Sequence, residues 1–98
     1  MPHQPINSVA DIGEAVWAVR KVSKVRQDDA AGSAGVSHVF LRDLERGKQT
    51  VQLGLVLQVL AELGVGLTLD LPDDAARLLE SRRSTLDKRR QARAAEAP

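Results

Sequence analysis

Cysteine is absent from this 98-residue chain. That excludes disulfides and thiolate metal sites, and it is the usage expected of a cytoplasmic protein. Aromatic residues are nearly absent too: Trp17 and Phe40 are the only two, so a core has to be built from Val, Leu, Ile and Ala. The two histidines, His3 and His38, are too few and too far apart to predict a metal cluster, and no cofactor is expected. No apolar run approaches the roughly 18 residues of a membrane span, and the opening Met-Pro-His-Gln-Pro lacks the basic-then-apolar pattern of a secretion signal, so no membrane partner is expected. Without paired histidines or a Gly-rich phosphate loop after a strand, the chain is not expected to be an enzyme.

What is present fits one small domain with a modest core, followed by a tail. The hydrophobic fraction is 43 % and the net charge +1. The distribution of charge says more than its sum. Residues 1–71 hold seven Lys/Arg and eight Asp/Glu, whereas residues 72–98 hold seven Lys/Arg and five Asp/Glu. The cations of the first segment cluster around residues 20–48, while Asp11, Glu14, Glu62 and Asp70 lie outside that cluster.

Residues 1–7, with two prolines, read as an extended arm. Ser8 followed by Asp11 resembles a capping box, so a first helix is predicted from about Val9 to Val22 or Ser23, burying Ile12, Val16 and Val19. Gln27 to Ala34 is a short second helix whose Asp28 and Asp29 suit its positive end. Gly35 supplies a left-handed turn with Val36 as its apolar plug. Ser37 is the N-cap of a third helix running to Arg46, with Phe40, Leu41 and Leu44 inward and Gly47 as terminator. Two helices this short, meeting at Gly35-Val36-Ser37, are how a protein holds one helix out to enter the DNA major groove.

A fourth helix is predicted from Val51 or Gln52 to Leu63. Its apolar arc of Leu53, Leu55, Val56, Leu57, Val59, Leu60 and Leu63 is wide enough to predict burial on more than one side. Val65, Leu67, Leu69 and Leu71 then alternate with smaller or polar residues, which predicts a β-strand closed by Pro72. With no second strand to pair with, this strand is expected to pair with a second copy of the chain across a two-fold axis, making a homodimer. The expected fold is therefore mainly α: a small helical bundle with a helix-turn-helix over residues 8–71, ending in that dimerisation strand. Residues 72–98 form a basic Ala/Arg-rich tail, predicted helical through about Lys88 and disordered after Gln91.

The stretch from Gln27 to Lys48, with Ile12-Gly13, Val16, Arg20-Lys21 and Leu53-Gly54-Leu55-Val56-Leu57 through Leu63-Gly64, resembles the Xre/Cro family of helix-turn-helix regulators, of lambda-repressor-like fold. Within that family it is most similar to the HipB-type antitoxins of type II toxin–antitoxin modules. The resemblance covers about Ile6 to Leu71. It departs from the family at Ala30, where a Leu is usual, at Gly32, at Val39, where a polar base-reading residue is common, and at Trp17, usually polar. The Ala30 and Gly32 departures predict a loosely packed second helix.

The outer, early part of the third helix supplies the predicted base-reading face: Ser37, His38, Val39, Arg42 and Asp43. There Arg42 suits a guanine edge and Val39 a thymine methyl. Lys24, Arg26, Arg46 and Lys48 are the predicted phosphate contacts. The resemblance implies that Gln27 holds a phosphate at the start of the second helix, and that Arg20 and Glu45 form a buried ion pair of structural value. Trp17, Leu79 and Leu86 are candidate anchors for a protein partner.

The function implied is a dimeric repressor on a palindromic double-stranded operator, acting as an antitoxin that neutralises a HipA-like Ser/Thr kinase toxin. Two other readings remain open: a stand-alone Xre-family regulator without a toxin, and a protein-interaction module that has lost DNA binding.

Overall fold

The computed structural model describes residues 1–96. It contains five helices: α1 (Val9–Val22), α2 (Gln27–Ala34), α3 (His38–Glu45), α4 (Leu53–Glu62) and α5 (Asp73–Glu96). The chain divides into two compact units, Met1–Leu67 with α1 to α4, and Thr68–Pro98 with α5.

Each turn of the first unit has a local chemical cause. Ser8 caps α1 by accepting the Asp11 amide at 3.2 Å, and the Asp11 carboxylate reaches back to the Asn7 amide at 2.9 Å. At the other end the Lys24 and Val25 amides bond to the carbonyls of Lys21 and Arg20, closing a Schellman motif. Lys24 occupies its left-handed position, φ 57°, where glycine is usual. The α2–α3 turn uses Gly35 for the same purpose, φ 73°, with the Val36 amide returning to the Ala31 carbonyl at 3.0 Å. Ser37 Oγ accepts the Phe40 amide at 3.0 Å and starts α3.

The core unites all four helices of this unit: Val16 from α1, Ala30, Ala31 and Ala34 from α2, Leu41 and Leu44 from α3, and Val56, Val59 and Leu60 from α4. Phe40 packs against it from the edge. The expected looseness of α2 is not what forms: its inner face is three buried alanines, and the missing side-chain bulk is made up by close packing against α3 and α4. Closeness recurs between α1 and α3. A Cβ built on Gly13 would run into the backbone carbonyl of Leu44, so only glycine fits there. Gln58 Nε2 donates to the Ala34 carbonyl at 3.3 Å and ties α4 to the end of α2.

Three expectations need correction. The strand over residues 65–71 is absent among the described residues: Gly66 to Leu71 make no backbone hydrogen bond, because the single chain holds no strand for them to pair with. Helix α4 is buried on one side only; Val56, Val59 and Leu60 are inside, whereas Leu53 and Leu57 are 61 % and 44 % exposed. The tail is helical well past Lys88, to Glu96, rather than disordered after Gln91, while residues 97–98 lie outside the described ones. Its persistence is local in origin. Asp73 and Asp74 sit in the first turn, Arg93 near the last, and neither glycine nor proline interrupts the 24 residues of good helix formers. No helix among the described residues is long and apolar enough to cross a membrane.

Candidate nucleic-acid interface

Leu41 and Leu44 fix the rotation of α3, since both are fully buried. At helical spacing this leaves Val39, Arg42 and Arg46 along the opposite, solvent side, at i, i+3 and i+7. All three are exposed, Val39 at 54 %. Ser37 and His38 open the same helix and are exposed as well. Helix α3 therefore offers an exposed face with apolar Val39 at its start and two cations that carry no acidic partner among the described residues.

The remaining predicted contacts surround that face, and some are already engaged. His38 Nε2 and Gln27 Oε1 lie 2.8 Å apart, joining the first residue of α3 to the first residue of α2. Gln27 is half-buried. Arg26 pairs with Asp28 at 3.2 Å, and Lys48 lies 3.6 Å from Asp43. Asp43 is half-buried and tied to Lys48 through this pair and through its backbone carbonyl, so it sits at the edge of the face. Arg26 gives the start of α2 no side-chain cap, but the Asp29 amide donates to the Asp28 carboxylate at 3.1 Å, and Asp28 and Asp29 reduce the field that would draw an anion there.

Behind the face, Arg20 Nε and Nη2 donate to the two carboxylate oxygens of Glu45 at 2.9 and 2.8 Å, and Nη1 donates to the Val25 carbonyl at 3.1 Å. The pair is nearly sealed from solvent, with side-chain exposures of 9 % and 6 %. The hydrogen bonds that Arg20 donates to Glu45 raise the Arg20 pKa above the ordinary arginine value, burial opposes that rise, and the Glu45 charge adds to it. This fork links α1 to the last residue of α3 and holds the protruding helix at a fixed angle. No buried side-chain polar atom among the described residues lacks a partner.

Other predicted contacts belong to other elements. Trp17 is on α1, 51 % exposed. Val65 packs against the core, whereas Leu67, Leu69 and Leu71 are exposed at 44 %, 80 % and 39 %. Leu79 and Leu86 lie seven residues apart on α5. Two features went unread in the sequence. The Gln27–His38 contact joins side chains eleven residues apart, which local spacing does not signal. Gly13 had a signal, a glycine within an amphipathic helix, which often marks close backbone approach.

Two short helices joined by a tight turn, the second exposed and braced from behind, define the helix-turn-helix class. The comparisons agree. Over 69 residues, 70 % of this chain and 91 % of the relative, the sequence is 49 % identical to y4mF of Sinorhizobium fredii, an uncharacterized HTH-type transcriptional regulator. The chain belongs to the HTH-type transcriptional regulators. Its fold is that of HipB, as seen in the HipA-HipB-O2-O3 complex and in the HipB-O4 20mer complex: each matches with a TM-score of 0.65 at 21 % identity, covering 72 % of this chain and 100 % of the other. No family model matches the chain.

Proposed function

We propose that this protein is a DNA-binding repressor that works as a homodimer on a palindromic operator and serves as the antitoxin partner of a HipA-like Ser/Thr kinase toxin. The observation that carries the DNA-binding part is the outer face of α3, where Val39, Arg42 and Arg46 are exposed and the two arginines have no acidic partner among the described residues. Arg42 suits the O6/N7 edge of guanine, worth roughly 1–3 kcal/mol of discrimination. Val39 suits a thymine methyl, and Ser37, His38 and Asp43 border these contacts. Gln27, Arg26, Arg46 and Lys48 are the phosphate contacts of this reading.

Dimerisation is supported by Leu67, Leu69 and Leu71, exposed on a segment whose backbone groups have no partner among the described residues. Pairing that segment with its copy would satisfy both deficits and set the spacing of two recognition helices to about 34–36 Å, one turn of DNA. The toxin-restraining role is supported by the likeness to HipB chains seen together with HipA. Trp17 and Leu53 are apolar surface for such a partner.

A second reading, a stand-alone regulator, is favoured by the 49 % identical relative, which is described only as a transcriptional regulator. One experiment separates them. The chain is co-expressed with the product of its neighbouring gene, and both the free protein and any complex are footprinted on the upstream DNA. Protection with a co-purifying kinase-like partner supports the antitoxin. Protection by the free protein alone leaves the stand-alone regulator, and no protection by either sinks the repressor reading.

A further inference from the structure

The distal half of α5 carries a pattern that the helix-turn-helix does not use. Residues 79–93 read Leu-Glu-Ser-Arg-Arg-Ser-Thr, Leu-Asp-Lys-Arg-Arg-Gln-Ala, Arg: a seven-residue repeat of Leu79, Arg82, Arg83 and Leu86, Arg89, Arg90, with Arg93 next in line. At about 3.6 residues per turn, all five arginines fall within roughly a third of the helix circumference, with the two leucines in its middle. Glu80, Asp87 and Lys88 lie outside that arc.

Between Arg82 and Arg93 there are six cations and one acid, a net +5, whereas the whole chain is +1, so the rest of the molecule is net −4. The positive excess is thus confined to one helical segment about 18 Å long. Arg82, Arg83, Arg89 and Arg90 are exposed and have no acidic partner among the described residues.

Three occupants fit this face badly. A second copy of α5 laid in register would place arginine pairs against arginine pairs. A membrane surface needs a broad apolar face, and here that face is Leu79 and Leu86 alone. A neutral groove would leave five guanidinium groups unpaired. The array suits a ligand whose negative charge repeats along a rod and whose oxygens match a guanidinium fork, which describes the phosphate backbone of a nucleic-acid duplex.

We propose that the Arg82–Arg93 face of α5 is a second, sequence-independent contact to the phosphates of duplex DNA, separate from the α3 face. The proposal rests on the DNA-binding reading above. In that setting α5 raises affinity by acting on DNA that α3 has already brought close, a gain in effective concentration rather than in base recognition.

The test uses the full chain, comparing the wild type with the R82Q/R83Q/R89Q/R90Q variant; glutamine keeps the helix propensity of arginine, and circular dichroism checks helicity. Binding to two duplexes of about 40 bp, one from upstream of the gene and one of scrambled sequence, is measured against salt concentration. Four lost phosphate contacts lower the slope of log K against log salt by about 3–4, and affinity falls by a similar factor on both duplexes. The R82Q/R83Q and R89Q/R90Q variants, each expected to lower the slope by about 2, serve if the quadruple variant loses helicity. Replacing the same four arginines by lysine keeps most of the slope. An unchanged slope in the glutamine variants, with wild-type DNA binding intact, overturns this inference alone. Failure of the wild type to bind either duplex overturns the DNA-binding reading with it. Arginine-dependent binding to poly-L-glutamate, with duplex binding indifferent to the substitutions, overturns it in favour of an acidic protein partner.

Discussion

His38 and Gln27, the first residues of α3 and α2, are joined by their side chains at 2.8 Å. The contact holds the exposed start of α3 to the start of α2, and it leaves the Gln27 side-chain amide directed by His38 rather than free to rotate. His38→Leu removes the hydrogen bond while keeping bulk, and His38→Gln restores a donor. The expectation is a loss of about 1 kcal/mol in duplex affinity for leucine and near-wild-type affinity for glutamine, with thermal stability little changed in either. Equal affinity of the leucine variant and wild type in a titration on the upstream duplex would remove any positioning role for this pair.

The Arg20–Glu45 fork is a folding element. Truncating Arg20 to alanine leaves the Glu45 carboxylate buried without its partner, which costs about 3–5 kcal/mol and threatens the fold of so small a core. Replacing both residues together, Arg20→Met with Glu45→Leu, removes the uncompensated charge and recovers most of that loss. Urea unfolding of the two variants is the check: a double variant as unstable as Arg20→Ala would show that the fork's geometry, not charge compensation, is what matters.

Gly13 faces the Leu44 carbonyl so closely that any side chain must push α1 away from α3. Gly13→Ala is expected to destabilise by about 3 kcal/mol, at the upper end of overpacking costs, despite alanine's better helix propensity. A melting temperature equal to or above wild type would mean that the two helices separate freely.

Much of this architecture was written in local signals. Ser8 and Ser37 cap where their spacing predicted, Gly35 takes the left-handed turn, and α1 and α2 begin and end as read. These features depend on residues within one turn of each other. What was illegible depends on where another element lies. Periodicity marked Leu53 and Leu57 as apolar, but whether a neighbour covers them is decided by the placement of α4, which leaves both exposed. The segment 65–71 forms no strand within the single chain for a related reason: alternation specifies a pleat, not a partner. Helix α5 runs past the expected end near Lys88 because helix propensity and end charges sustain it without a large apolar face. At the candidate interface, the exposed α3 face was readable from spacing. The pairing of Arg26 with Asp28 and of Lys48 with Asp43 was not, since exposed side chains choose among several neighbours.

Lys24 ends α1 in a left-handed conformation, φ 57°, and its own amide and that of Val25 complete the motif. A lysine there is strained by its Cβ, a cost of about 1–2 kcal/mol that glycine avoids. Lys24→Gly is accordingly expected to raise stability by about 1 kcal/mol after glycine's larger loss of chain entropy is set against it. The urea midpoint should rise with an unchanged slope. A lower midpoint would assign the lysine side chain a packing or charge role larger than the strain.

Leu69 tests the dimer. It is 80 % exposed, in a segment that has no backbone partner within the chain, so in a monomer its replacement by aspartate costs the fold almost nothing. If residues 65–71 pair with their copy, an aspartate at this position meets the same aspartate or an apolar neighbour across the two-fold axis, and both arrangements are unfavourable. Leu69→Asp should then sediment as a folded monomer. Its affinity for a half-site is expected to match wild type, while affinity for the full palindromic site falls, because two linked recognition helices gain from each other's binding and a single one does not. Sedimentation of an unchanged dimer would move the interface elsewhere, to the exposed side of α4 at Leu53 and Leu57 first, where Leu57→Asp repeats the test.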